Sequence, residues 1–357
     1  MPDEPTADAV RGGRRSAPRT RPTSWTVAHE AGVSQATVSR ALRGDPRVRP
    51  ETRVRIDEAA ARLGYVPRSS APSTATTATR TVGVVVSDLT NPFFPYLLTQ
   101  VYDELQLMDY RVVLFAERTD IPTGQAALSR LLDRSIDGLL VTTGTLGSPF
   151  GELMRQRGLP MVQLNRYIDG LDVDRVVSDN RAGGYAAGRY LLSLGHERIA
   201  CIRGPANTST GRDRTIGFEE ALASEGVQMD PRLVREGSFS HQSGYQHTQD
   251  LLRLQDPPTA VFCANDVVAF GAIDAARALG VDIPGELSVL GFDDIPMAAW
   301  EVFQLSTVRQ PFPEMARAAA RMLAERIEQP DEIGPGRENV FATGLVKRST
   351  TDHPPRV

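Results

Sequence analysis

Beyond Thr81 the chain alternates unbroken apolar runs with amphipathic segments. TVGVVV, RVVLFA, GLLVT and MVQL offer water no polar face, so they read as strands covered on both sides. Between them, Pro92–Met108 and Thr123–Arg134 carry amphipathic helical patterning. The pattern then restarts: a helix over about Arg181–Leu194, the strand RIACI, a helix around Arg214–Ser224, the strand AVFCA, a helix over Asp266–Leu279 and the strand LSVLGF. Strand–helix–strand alternation calls for a parallel sheet covered by helices. Two successive rounds predict an α/β body of two Rossmann-like lobes, with a ligand cleft at the carboxyl ends of the strands.

The first part of the chain has a different rhythm. Thr23 can cap a short helix running through Trp25, Val27, Ala28 and Ala31; Gly32 breaks it, and Ser34 can cap a second helix ending near Leu42. Small Ala28 lets the helices cross closely, Gly32 supplies the positive φ of the turn, and Val38 anchors the second helix. Val38, Ala41 and Leu42 form the inward stripe of that helix. Ala36, Ser39, Arg40 and Arg43 lie opposite, with Gln35 on the flank. Such a face fits a DNA major groove: Gln35, Ser39 and Arg40 can bond base edges or phosphates, and Ala36 can touch a thymine methyl. A third helix, about Glu51 to Leu63, offers Val54, Ile56, Ala59, Ala60 and Leu63 for packing, and Gly64 closes it. The result is a three-helix helix-turn-helix head over residues 23–66. Residues 67–80 are rich in Ser, Thr, Ala and Pro, the composition of a flexible connector.

Charge sharpens this division. Residues 1–80 carry 14 Arg against 8 acidic residues, a net +6, whereas residues 81–357 carry 26 basic against 36 acidic side chains, a net −10. A positive head on a negative body suits a nucleic-acid partner for the head alone. The first 22 residues, MPDEPTADAVRGGRRSAPRTRP, lack the apolar core of a secretion signal and read as a disordered tail, from which a cytoplasmic location follows. Apolar runs fall short of the roughly 18 residues of a membrane span. Cys201 and Cys263 sit singly in apolar runs, as buried free thiols do. HERIA lacks the second His of a zinc-protease motif, GTLGSPFG lacks phosphate-loop spacing, and GxSxG does not occur. No catalytic constellation, metal site or cofactor is expected.

The run TSWTVAHEAGVSQATVSRALRGDPRVRPETRVRIDEAAARLGYVP resembles the head of the lac repressor and galactose-ribose repressor family of bacterial transcriptional regulators. The similarity continues through TVGVVVSDLTNPFF, LLSLGHERIACIRGP, RTIGFEEAL, VFCANDVVAFGAI, LSVLGFDD, LSTVRQPF and LVKRST. The resemblance implies that Ser34, Gln35, Ala36, Thr37, Ser39 and Arg40 occupy the DNA-contacting start of the recognition helix, and that Thr23 and Tyr65 match backbone-contacting positions. Thr26 departs from the family's usual Asp. It also implies a periplasmic-binding-protein type I body over 81–351 that crosses between lobes near Val177, Thr307 and Gln329. The first lobe would then hold about 81–177 and 308–328, and the second about 178–307 and 329–351. In the family the connector forms a hinge helix on DNA, with a Leu wedged into the minor groove. Here Pro72 and Thr74 stand where Arg and that Leu are usual, so weaker operator bending is expected.

Polar and aromatic residues at or just after strand ends populate the expected cleft: Ser87, Asn91, Phe93, Thr142, Asn165, Arg166, Thr210, Arg214, Phe239, Asn265, Asp266, Asp293 and Gln310. Carboxylate, amide and guanidinium groups can bond adjacent sugar hydroxyls, while Phe93 and Phe239 can pack on a ring. Asn91 and Asn265 could equally cap helices, the two Phe could be core, and Asp293 could hold a turn. By position in the family Arg214 and Asp293 lead the set; His196, after a helix end, reads as a cap. The expected function is a repressor that binds a near-palindromic operator in double-stranded DNA as a homodimer, with a tetramer as the alternative assembly, under control of a sugar. A purine-type co-repressor is the alternative effector, and a solute-binding protein the alternative class.

Overall fold

The computed structural model describes residues 24–42, 45, 47–63, 65, 79–116, 136–146, 159–329 and 334–355. The tail, Thr23, Arg43, Gly64, Pro72, Thr74 and the helix expected over 123–134 lie outside the described residues. The chain divides into two compact units, Met1–Thr77 and Ala78–Val357.

In the first unit α1 (Ser24–Ala31), α2 (Gln35–Leu42) and α3 (Pro50–Leu63) enclose a small core of Val27, Ala28, Ala31, Val38, Ala41, Val48, Ile56, Ala59 and Ala60. Gly32 turns the chain at φ +63°, and the Ser34 hydroxyl accepts the Thr37 N–H at 3.1 Å, capping α2 as expected. Val54 is exposed rather than packed. It precedes Ile56 by two residues, about 200° around the helix, so it cannot share the stripe made by Ile56, Ala59, Ala60 and Leu63.

The second unit begins with β1 (Thr81–Val86), α4 (Phe93–Leu107), β2 (Arg111–Ala116), β3 (Gly138–Val141), β4 (Met161–Leu164) and β5 (Asp174–Ser178). It continues through α5 (Asn180–Ser193), β6 (Ile199–Arg203), α6 (Ser209–Ser224), β7 (Val234–Glu236), α7 (His241–Leu252), β8 (Ala260–Cys263) and α8 (Asp266–Leu279). β9 (Ser288–Asp293), β10 (Ser306–Arg309), α9 (Phe312–Glu328), β11 (Glu338–Phe341) and β12 (Gly344–Val346) complete it. One sheet has the order β11-β5-β4-β3-β1-β2 and is parallel throughout; the other has the order β12-β10-β9-β8-β6-β7, parallel except for the β10–β12 pair. Successive residues of β6 face opposite layers, as a strand's period of two requires. Ala200 and Ile202 pack with Val268, Ala272 and Ala276 of α8, while Ile199 and Cys201 pack with Ala187, Leu191, Phe218 and Leu222 of α5 and α6.

The chain passes between the sheets after β5, after β10 and between β11 and β12. The crossing expected near Gln329 therefore lies between Phe341 and Gly344, and residues 338–341 belong with the first sheet rather than the second lobe. The cause is a buried carboxylate: Asp174 of β5 receives side-chain bonds from Arg326 and Arg337 and the Arg337 N–H at 2.8 Å, which draws the chain after α9 to the β5 edge. Burial alone would push that carboxyl up, but these two guanidinium groups hold it below its ordinary value.

Candidate ligand cleft and helix-turn-helix face

Arg214 enters from α6 and is 3 % exposed. Its Nε donates to Asn180 Oδ1 at 2.8 Å, its Nη1 to the Ala264 carbonyl at 2.7 Å, and its Nη2 pairs with Asp293 Oδ1 at 3.0 Å. The guanidinium carbon sits 3.8 Å from the centroid of Phe292. Asp293 ends β9 at φ +120° and also accepts from Gln310 Nε2 at 2.6 Å. Burial works against the charge on both partners, lowering the Arg214 pKa and raising that of Asp293, and their mutual attraction opposes it.

Around this pair, Asn91, Phe93, Phe94, Asn165 and Arg166 from the first lobe face Thr210, Arg214, Phe239, Asn265 and Asp293 from the second. The space between them is about 20 Å³, little more than one water occupies. Polar contacts join the two rims: Asn91 Nδ2 to the Phe239 carbonyl at 2.9 Å, the Tyr167 N–H to Ser209 Oγ at 3.1 Å, Arg212 Nη1 to Asp169 at 2.8 Å, and the Leu146 N–H to the Asn207 carbonyl at 2.7 Å. The lobes are closed. Asn165 Oδ1, Arg166 Nε, Thr210 Oγ1 and Gln310 Oε1 are buried without a hydrogen-bond partner. The Arg166 guanidinium lies 4.9 Å from the centroid of Phe239, and burial together with the Arg214 charge pushes its pKa down to about 10.

Nine of the residues expected in the cleft line it: Asn91, Phe93, Asn165, Arg166, Thr210, Arg214, Phe239, Asn265 and Asp293. Several do two jobs. Asn91 Oδ1 accepts the Phe93 N–H at 3.0 Å, Asn265 Oδ1 accepts the Val268 N–H at 2.9 Å, and Phe93 packs edge-on against Phe94 and Phe312. Ser87 is not in the lining. Thr142 donates to the Val85 carbonyl at 2.8 Å and ties β3 to β1, and Gln310 acts from behind by holding Asp293. Asp266 also lies behind the lining; fully buried, it accepts the Ile295 N–H at 2.9 Å and the Thr307 hydroxyl, and burial with Asp293 nearby pushes its carboxyl well above the ordinary range. His196 is no simple cap: its ring bonds Thr259 at 2.9 Å and the Asp352 carbonyl at 2.9 Å, pinning the chain's end to the second sheet. Phe94, beside Phe93 in NPFF, and Asn180, which orients Arg214, escaped the sequence reading.

In the head, Ala36 and Arg40 are exposed and Gln35 and Ser39 half-buried; with Asp45 and Arg47 from the following loop they border a shallow concavity. Ser34 and Thr37 share a hydroxyl–hydroxyl bond of 2.8 Å at the start of α2. Tyr65 is half-buried against the head core, its N–H bonded to the Ala60 carbonyl at 2.8 Å. Among the described residues no helix is long and apolar enough to cross a membrane.

A helix-turn-helix head and a body of two closed Rossmann-like lobes define a ligand-responsive DNA-binding regulator, and comparison with known proteins agrees. Residues 26–68 match the family described as bacterial regulatory proteins, lacI family, and residues 189–351 match the periplasmic binding protein-like domain. The HTH-type transcriptional repressor CytR of Escherichia coli is 33% identical over 326 residues, 91% of this chain and 95% of its own. The transcriptional regulator CelR in complex with cellobiose superposes with a TM-score of 0.71 at 32% identity, covering 92% of this chain and 100% of that one. The lac repressor dimer bound to operator and an anti-inducer gives 0.69 at 26% identity over 93% and 100%. The chain belongs to the lacI family of bacterial regulatory proteins.

Proposed function

We propose that this transcriptional regulator is a cytoplasmic repressor that binds its operator as a homodimer and changes its DNA affinity when a sugar or sugar derivative occupies the cleft. The observation that carries the ligand reading is the set of buried, unpartnered polar atoms on Asn165, Arg166 and Thr210, which line the cleft with the rings of Phe93 and Phe239. Each costs roughly 1–3 kcal/mol while unsatisfied, and hydroxyls on a ring-shaped ligand supply the missing partners. CelR is seen with cellobiose in the same fold. Because the closed lobes leave so little room, entry requires them to part, and the ligand acts by favouring one lobe arrangement over another. Asn91, Phe93, Asn165, Thr210, Arg214, Phe239, Asn265 and Asp293 are the proposed contacts, with Thr142 and Gln310 supporting them and Ser87, outside the lining, left out.

For DNA, the proposed contacts are Ser34, Gln35, Ala36, Thr37, Ser39 and Arg40 on the recognition helix and Tyr65 beyond α3; what supports them is the exposed polar face of α2. Exposed Tyr102 and Leu107 on α4 offer apolar surface that a second copy can cover, in keeping with the dimer seen for the lac repressor. The test is thermal melting of the full chain against pentoses, hexoses, disaccharides, sugar phosphates and purines. A ligand at 100 times its Kd adds about 2.7 kcal/mol, a clear upward shift. One sugar or sugar derivative is expected to give it and to alter operator binding in turn. A shift with purines alone would replace the sugar, and no shift across the panel would remove the ligand assignment.

A further inference from the structure

The loop after the recognition helix holds an ion pair that the helix-turn-helix pattern does not call for. Asp45 accepts the Arg47 N–H at 2.9 Å on Oδ1 and grips the Arg47 side chain from its edge, with Nε at 3.0 and 3.2 Å from the two carboxylate oxygens and Nη2 at 2.8 Å from Oδ2. The loop is itself anchored: the Asp45 N–H bonds the Arg40 carbonyl at 3.1 Å, and Arg53 Nη2 of α3 bonds the Asp45 carbonyl at 2.8 Å. The Asp45 side chain is 15 % exposed and that of Arg47 82 %, so a sunken carboxylate carries an outstretched guanidinium. The Arg47 side chain holds the Asp45 carboxyl down at about 2, which keeps it ionised at any working pH. Both residues border the same concavity as Gln35, Ala36, Ser39 and Arg40.

We propose that Asp45 and Arg47 form a second base-reading element beside the recognition helix, in which the Asp45 carboxylate aims the Arg47 guanidinium at a guanine. The carboxylate occupies Nε and one hydrogen of Nη2, which leaves the end-on fork of Nη1 and Nη2 open. That fork matches the O6 and N7 acceptors that guanine presents in the major groove, whereas adenine places an amino donor against one of its arms. A guanidinium already held in place loses less freedom on binding than a free one. The paired carboxylate also cancels its charge and sets its own negative charge against phosphate, which disfavours a plain backbone contact. Aim and charge cancellation together turn an arginine that would otherwise add affinity into one that adds selectivity.

The inference rests on DNA binding by the head, and the two are separable. Recovery of a defined operator from randomised duplexes by the wild-type full chain tests DNA reading alone; the pair is tested by comparing variants on that operator. Arg47→Ala and Arg47→Lys are expected to lose a roughly five- to 150-fold preference for guanine at one position per head while keeping preferences elsewhere. Asp45→Asn, which keeps an acceptor for the Arg47 N–H, is expected to blur the same position, raise binding to random-sequence DNA and steepen its salt dependence. Uniform weakening by Arg47→Ala on all sequences, with the salt slope reduced by about one, would mark a phosphate contact and overturn the proposal. So would an unchanged selected sequence in Asp45→Asn. Helical circular dichroism equal to wild type in each variant separates these outcomes from loss of the head fold.

Discussion

Arg214 shows how one side chain joins stability to ligand binding. Three of its nitrogens are bonded to protein, and its removal takes from the buried Asp293 carboxylate its ion-pair partner, leaving the hydrogen bond from Gln310. Arg214→Ala is expected to destabilise the body by about 3–5 kcal/mol in urea unfolding and to abolish ligand-induced stabilisation. Asp293→Asn, with nearly the same shape, should fold better yet still lose much of the ligand response. His196 sets a pH limit. Burial lowers its pKa, so the folded chain holds the ring neutral while the unfolded chain takes up a proton near pH 6.5. The unfolded state therefore binds more protons as pH falls, and the stability His196 contributes is fully present above about 6.5 and declines below it. Melting temperature should drop between pH 7 and 5, and His196→Gln should flatten that part of the profile; an unchanged profile would show that other groups govern it. The chemistry of both residues was readable from position, but their partners were not. His196 reads as a cap because Gly195 ends a helix beside it, and nothing local points to Asp352, 156 residues away.

At the scale of elements, α5 and α6 cross at glycines. A methyl group on Gly184 would overlap the Arg214 carbonyl and one on Gly217 the Arg181 carbonyl, both backbone atoms unable to step aside. Gly184→Ala is expected to cost about 1–3 kcal/mol by overpacking, and, because it displaces the backbone of Arg214, to weaken ligand binding as well. Chemical denaturation and ligand titration of the same variant check both effects. Helix limits were legible where caps mark them: α8 runs over Asp266–Leu279 as its sequence predicts, with Asn265 capping one end and Gly280 closing the other at φ +74°. They were less legible at α6, which starts at Ser209 and not near Arg214, because its first turn is polar and contains Gly211. β11 left even less trace. ENVF is exposed or half-buried along its length, so it lacks the apolar signal that marks a covered strand.

For the whole molecule, the two compact units imply separable functions. A fragment of residues 79–357 is expected to melt cooperatively and keep the ligand-induced shift while losing operator binding; loss of ligand binding in that fragment would place part of the site in the head. The helix-turn-helix, the covered apolar strands with the capped helices between them, and the kinds of side chain at strand ends were set down in the sequence. Each depends on caps, turns and periodicities that act within a few residues, and these are shared with the lacI family along most of the chain. Tertiary structure decided what meets what. It brought Asn91 to the Phe239 carbonyl across 148 residues, returned the chain after α9 to the edge of the first sheet through Asp174, and sent Thr142, Asp266 and Gln310 behind the cleft. Those outcomes follow from burial and from pairing between distant segments, where a carboxylate or amide takes whichever partner the fold supplies, and no local pattern encodes that choice.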